Sequence, residues 1–272
     1  VVAPTAELAL GGLFYHDGLG LLQTAPDFTK AMFEAVPDLA SAYDAVGVHP
    51  YPQYPPSVGP ENGDDKEVDY ATMLARIRTV VEDKSGRSPR LWVTEVGWPV
   101  TNDVDQATQA AFLARSLLLS ASESVEFWCA YTLMDEEDKG SPLPESKFGL
   151  LRLLDEGVPA EPEMAEKISY RVLRSLLTIL VDVVAIRPLT LTDTARDAGV
   201  YAMILYGKDG RTNRIAMWCV DARVHIELDF GSQNKKVQVA VLGTMNTETM
   251  AGDGQPMVIP VDGMPTIIKI TP

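Results

Sequence analysis

The hydrophobic period changes once along this chain, and that change limits the fold more than any other feature. Up to about residue 180, short apolar runs at Val1–Thr5, Asp44–Val48, Leu91–Thr94 and Val125–Tyr131 alternate with helix-length amphipathic segments. Nearly continuous apolar strands are covered on both faces, so the alternation predicts a parallel sheet with crossover helices. The clearest helix has Tyr70, Leu74, Ile77 and Val81 on one side and Arg76, Arg78 and Glu82 on the other. Asp27–Ala42, Gln106–Ser122 and Glu163–Leu180 read the same way. Pro50-Tyr51-Pro52-Gln53-Tyr54-Pro55-Pro56 can be neither helix nor central strand, so it must be a loop leaving the strand at His49.

Beyond residue 184 the spacing tightens. Val200–Tyr206, Arg214–Val220, Val224–Phe230, Lys236–Leu242, Met257–Val261 and Thr266–Ile270 are strand candidates set apart by turn signals such as Gly207-Lys208-Asp209-Gly210. A (β/α)₈ barrel takes roughly 250 residues, and only about 180 precede this β region. The expected architecture is therefore α/β: a partial (β/α)₈ barrel of about four βα units over 1–183, then a small all-β sandwich over 184–272. Val1 lies in a strand-like run with no initiator Met or signal peptide before it, as in a chain that begins within a domain.

Composition removes several partner classes. With 38 acidic against 23 basic residues the net charge is −15, which repels nucleic acid and anionic lipid. No run approaches the ~18 apolar residues of a membrane span. The two cysteines, Cys129 and Cys219, make neither a disulfide scaffold nor a multi-cysteine metal site. The histidines are isolated and the glycine pairs fit no nucleotide-binding pattern, so no metal and no cofactor is expected.

Three strand ends carry candidate chemistry: Val48-His49-Pro50-Tyr51, Val93-Thr94-Glu95-Val96-Gly97-Trp98-Pro99, and Phe127-Trp128-Cys129-Ala130-Tyr131 running into Asp135-Glu136-Glu137-Asp138. Barrel active sites sit at the C-terminal ends of strands. A carboxylate there, beside aromatics and a histidine, suits attack on an anomeric carbon. Taken alone, His49 and Tyr51 would be core and loop residues, and their register with Glu95 makes them site candidates. Glu7, just past the first expected strand, is the one carboxylate of the chain that could stand near Glu95 as a proton donor. The Asp135–Asp138 cluster reads as a solvated loop. By alternation, Trp92 has the parity opposite to Glu95 and packs under the outer helices, while Trp128 has the same strand parity as Ala130.

Together, Asp44 to Tyr51, Leu91 to Trp98 and Phe148-Gly149-Leu150-Leu151 resemble the second half of the retaining glycoside hydrolases with a (β/α)₈ barrel, the clan that includes families 5, 17, 30 and 39. The Thr-Glu-x-Gly-Trp segment is the most specific part. The resemblance covers about residues 1–180, and more weakly Val258–Ile270, which is similar to the closing strands of the family 39 sandwich. It implies that Glu95 is the nucleophile at the end of strand seven, that His49 and Tyr51 lie at the end of strand six, and that Trp98, Trp128 and Tyr131 bind substrate. It also implies hydrolysis of β-linked glycans or glycosides by double displacement. The family's acid/base Asn-Glu pair is missing, and only Glu61-Asn62 comes close, in reverse order. That glutamate is accordingly expected upstream of Val1. A second departure is Ala130, where relatives often carry an aromatic before the strand-eight tyrosine. Two alternatives stay open: a carbohydrate-binding or cell-surface module without catalysis, and a family 17-like β-1,3-glucanase suggested by Glu95-Val96-Gly97-Trp98-Pro99. The half-barrel edges are expected to drive self-association. The compartment stays open, with secretion favoured.

Overall fold

The structure is a computed structural model, and it describes residues 6–14, 25–52, 57–62, 68–137, 145–154, 165–208, 213–220, 222–229, 236–243, 247–251 and 256–271. Contacts group the chain into two compact units, Val1–Asp103 with Leu119–Gly149, and Val104–Leu118 with Leu150–Pro272.

The first unit is built on a four-stranded sheet of β1 (Ala9–Phe14), β2 (Ala45–His49), β3 (Arg90–Val96) and β4 (Phe127–Ala130), in that order and all parallel. The strand expected at Val1–Thr5 lies outside the described residues, and the first described strand falls later, at β1. Of the helices, α1 covers Ala25–Ala35 and stops short of Pro37, with a 3₁₀ turn at Leu39–Ser41 replacing the expected continuation to Ala42. The next helix, α2, runs Tyr70–Ser85 as its periodicity predicts, burying Tyr70, Leu74, Ile77 and Val81. Asp69 caps its start by accepting from the Thr72 amide at 2.7 Å, and Gly86 ends it in the left-handed region at φ 71°. The following helix, α3, spans Gln106–Ser122.

Each face of this sheet can be assigned from its register. Leu10, Val46 and Leu91 form one row and Leu13, Val48, Val93 and Trp128 the next, all buried but Leu10 and Trp128, which are partly so. This is the helix face: the Trp128 ring nitrogen lies beside the Tyr70 hydroxyl of α2, which is itself bonded to Ser120 Oγ at 2.7 Å. The far face carries Gly47, Trp92 and Phe127 in one row and Phe14 and His49 in another. Two bulges interrupt the ladders, one between Leu10 and Leu13 and one between Val93 and Val96. In the second, three steps along β3 answer two along β4. Strand alternation is broken there, and Glu95 moves to the far face.

The second unit contains α4 (Ile168–Leu180), the short α5 (Asp193–Asp197) and an all-antiparallel sheet in the order β10-β9-β12-β7-β6-β5. Its strands are β5 (Val183–Pro188), β6 (Val200–Gly207), β7 (Asn213–Cys219), β9 (Lys236–Val241), β10 (Thr247–Ala251) and β12 (Thr266–Thr271). A two-stranded ribbon of β8 (Val224–Leu228) and β11 (Met257–Val261) shares a core with it, formed by Val200, Ala202, Met217, Val237, Ile259 and Ile268. Trp218 is fully buried on the opposite sheet face, stacked on Tyr201 with ring centroids 5.6 Å apart. Arg115 of α3, itself buried, donates from Nε to the Gly263 carbonyl at 2.7 Å and from Nη2 to the same oxygen. The fold is therefore mixed α/β, with one parallel sheet and separate antiparallel sheets. Among the described residues no helix is long and apolar enough to cross a membrane.

Candidate active site

The C-terminal ends of β2 and β3 bring three of the expected residues together. Tyr51, two residues past β2, donates its hydroxyl to Glu95 Oε1 at 2.8 Å, and His49 Nδ1 stands 3.7 Å from Oε2. The carboxylate is part-exposed, with 32% of its side chain accessible, while Tyr51 is 3% exposed. Oε1 is thus committed to a donor, and Oε2, beyond hydrogen-bond distance of His49, is the freer oxygen.

The electrostatics keep this geometry in one protonation state. Burial, then the charge and hydrogen bond of Glu95, push the Tyr51 hydroxyl far above the ordinary phenol range, so it remains a donor. For His49, burial lowers the imidazole pKa and outweighs the opposite pull of Glu95. The ring is neutral at pH 7, and one of its nitrogens carries no proton.

Tyr131 follows β4 at the same end. Its amide donates to the Val96 carbonyl at 2.8 Å, and its ring meets Phe148 edge-on at 5.2 Å. Burial, then the charges of Glu145, Glu136 and Glu95, raise its hydroxyl pKa. Gly97 makes this approach possible, because a Cβ there would fall on the Tyr131 carbonyl oxygen and 2.9 Å from Phe148 Cδ1. The glycine of the Thr-Glu-x-Gly-Trp segment therefore has a packing reason.

Two expected platforms are displaced. Trp98 is 0% exposed and donates its indole N–H to the Val58 carbonyl at 2.7 Å, so it is a core residue with no ring face open to a sugar. Trp128 pairs with Val93 on the helix face, away from Glu95. Trp128 does keep the parity of Ala130, but the bulge moves Glu95 to the opposite face, that of Trp92, which corrects the expectation that Trp92 packs under the helices. There Trp92 packs against Phe127, with centroids 5.9 Å apart, and under the Arg90 guanidinium.

Glu7 is excluded as a proton donor to Glu95. It precedes β1 and pairs at 2.6 Å with Arg90, the first residue of β3, which also holds Glu126 at 2.6 Å. About 16 Å of extended strand separates that end of β3 from Glu95. Asp135 is buried and accepts from the Gly149 amide at 2.8 Å, which corrects the expectation of a fully solvated acidic loop. Asp138 lies outside the described residues.

Sequence reasoning missed Phe14 and Glu145. Phe14 packs on Tyr51 with centroids 5.4 Å apart, and only the register Phe14↔His49 brings it there. Glu145 reaches both site tyrosines through its charge because Glu136 N–H bonds the Ser146 carbonyl at 3.1 Å, folding the two segments together. No local pattern in the sequence announces that pairing.

No family model and no curated protein matches the chain. Among solved structures it is similar to a family 39 glycoside hydrolase from the gut symbiont Bacteroides cellulosilyticus WH2, with TM-score 0.68 and 19% identity over 90% of this chain and 47% of that one. It is also similar to AbfB, a family 51 α-L-arabinofuranosidase from Bifidobacterium longum, with TM-score 0.57 and 8% identity over 95% and 59% of the two chains. A monomeric β-xylosidase from Caulobacter crescentus CB15 matches with TM-score 0.51 and 15% identity over 91% and 59%. The chain spans about half the length of these structures. What it shares with glycoside hydrolases of families 39 and 51 is their fold.

Proposed function

We propose that the protein hydrolyses O-glycosidic bonds of β-linked glycans or glycosides by a retaining mechanism with Glu95 as nucleophile. In this reading, residues 1–183 are the C-terminal half of a (β/α)₈ barrel and 184–272 an accessory β-sandwich. The observation that carries it is the Tyr51 hydroxyl on Glu95 Oε1, with the His49 ring beside Oε2, at the C-terminal ends of parallel strands. Oε2 attacks the anomeric carbon while the leaving oxygen takes a proton from a second carboxyl, and water then displaces the sugar from the Glu95 ester. Tyr51 orients the carboxylate through its hydrogen bond to Oε1. Tyr131 and the Glu136 and Glu145 carboxylates border the sugar as hydrogen-bonding groups. The second carboxyl is contributed from outside this chain, which leaves β1 and β4 as outer strands able to pair with further strands or with another copy.

The chain itself provides the test. General acid help is typically worth 10²–10⁴-fold, and dinitrophenolate needs little of it. Residues 1–272 are expected to cleave dinitrophenyl glycosides slowly and nitrophenyl glycosides hardly at all, Glu95→Ala to abolish that cleavage, and azide to restore part of it. Unchanged turnover in Glu95→Ala ends the assignment. Sugar binding that survives the substitution in a chain with no turnover supports the non-catalytic module instead.

A further inference from the structure

We infer that Gly12 is a positioning residue that acts on Glu95 through His49, an inference that rests on the nucleophile reading of Glu95. The bulge of β1 contains Gly11, at φ 72°, and Gly12. A Cβ on Gly12 would stand 2.8 Å from His49 Nε2 and 3.0 Å from its Cε1. The imidazole therefore occupies the space that every residue other than glycine would fill.

The consequence is directional. An imidazole is rigid and planar, so seating its Nε2 edge against the β1 backbone fixes the opposite edge as well. Nδ1 is the nitrogen that faces Glu95 Oε2, at 3.7 Å. Because the ring is neutral, only the tautomer with its proton on Nδ1 turns a positive N–H edge toward Oε2 across that 3.7 Å, and the other tautomer would face it with a lone pair. Among the described residues, the ionisable group facing His49 is Glu95 from β3, whose other oxygen takes the Tyr51 hydroxyl, while β1 supplies Gly12 and Phe14. Gly12 thereby gives the ring the room it needs to turn Nδ1 toward the nucleophile. Since the atom a methyl group would strike is the tip of a side chain free to turn, Gly12→Ala is relieved by swinging the ring, with β1 and β2 staying paired. Its effect falls on the site more than on stability.

Nitrogen-15 spectra of the histidine rings in residues 1–272 test this. The wild-type His49 is expected to show the Nδ1-protonated pattern. Gly12→Ala is expected to lose it while its melting temperature stays within about 2 °C. On dinitrophenyl glycosides the same variant is expected to lose about tenfold in kcat with KM little changed, and its acid limb to follow that of His49→Asn. A folded Gly12→Ala chain with an unchanged His49 pattern overturns the inference. Should Gly12→Ala fail to fold, the double variant Gly12→Ala/His49→Ala decides: recovery of folding supports the collision with His49, and failure to recover overturns it. If Glu95→Ala leaves turnover intact, the nucleophile reading falls, whereas the nitrogen-15 pattern still reports separately on Gly12 and His49.

Discussion

At the scale of single residues, the neutral state of His49 makes the fold sensitive to acid. Burial holds its pKa below the ordinary 6.5, so between that value and the lower folded one the unfolded chain binds more protons. Stability is therefore complete above about pH 6.5 and declines as pH falls through this window. His49→Asn is expected to flatten that decline in melting temperature against pH, and a parallel pair of curves would exclude His49 as its source. His49, Tyr51 and Glu95 were legible because each sits in a short segment with a strand before it, and a strand end fixes a side chain within one residue. Trp98 and Trp128 were not. The burial of Trp98 depends on the Val58 carbonyl of a distant loop, and the face of Trp128 depends on a bulge that leaves no mark in the alternation.

Elements obey the same distinction. The α2 helix was legible end to end because its apolar spacing, its Asp69 cap and Gly86 all agree. By contrast, β5 and β10 were missed: Val183–Pro188 continues the apolar run of the preceding helix without a turn signal, and Thr247–Ala251 is a strand because it pairs with β9. Gly97 shows how tightly β3 and β4 are joined past the second bulge. Gly97→Ala places a methyl group on a backbone carbonyl that cannot swing aside, so the strands must part. A loss of about 3 kcal/mol or more is expected, against the 1–3 kcal/mol of ordinary overpacking. Urea unfolding measures it, and a loss under 1 kcal/mol would show that the Tyr131 backbone yields easily.

For the whole molecule, the boundary set by the change of strand period and the grouping set by contacts run differently through the chain. Residues 104–118 and 150–183 group with the β strands that follow them, and Arg115 shows the tie in atoms, its guanidinium closing on the Gly263 carbonyl between β11 and β12. Arg115→Met leaves that carbonyl without its charged donor, and a loss of about 2–4 kcal/mol in urea unfolding is expected. A loss below about 0.5 kcal/mol would mean that the β strands hold that helix without it. The four tryptophans make the far face of the parallel sheet observable by light. Trp98 and Trp218 have no accessible surface and emit as shielded indoles, and Trp128 has its ring nitrogen buried on the helix side. Of the four, Trp92 alone is on the far face, packed by Phe127 and Arg90 with its ring nitrogen toward Glu126. Acrylamide is expected to quench Trp92 first, and wild-type quenching that persists unchanged in Trp92→Phe would place the reporter elsewhere. Anything that came to cover that face, another chain or further strands, would announce itself as a blue shift and a lost Stern–Volmer slope, without any substrate being known.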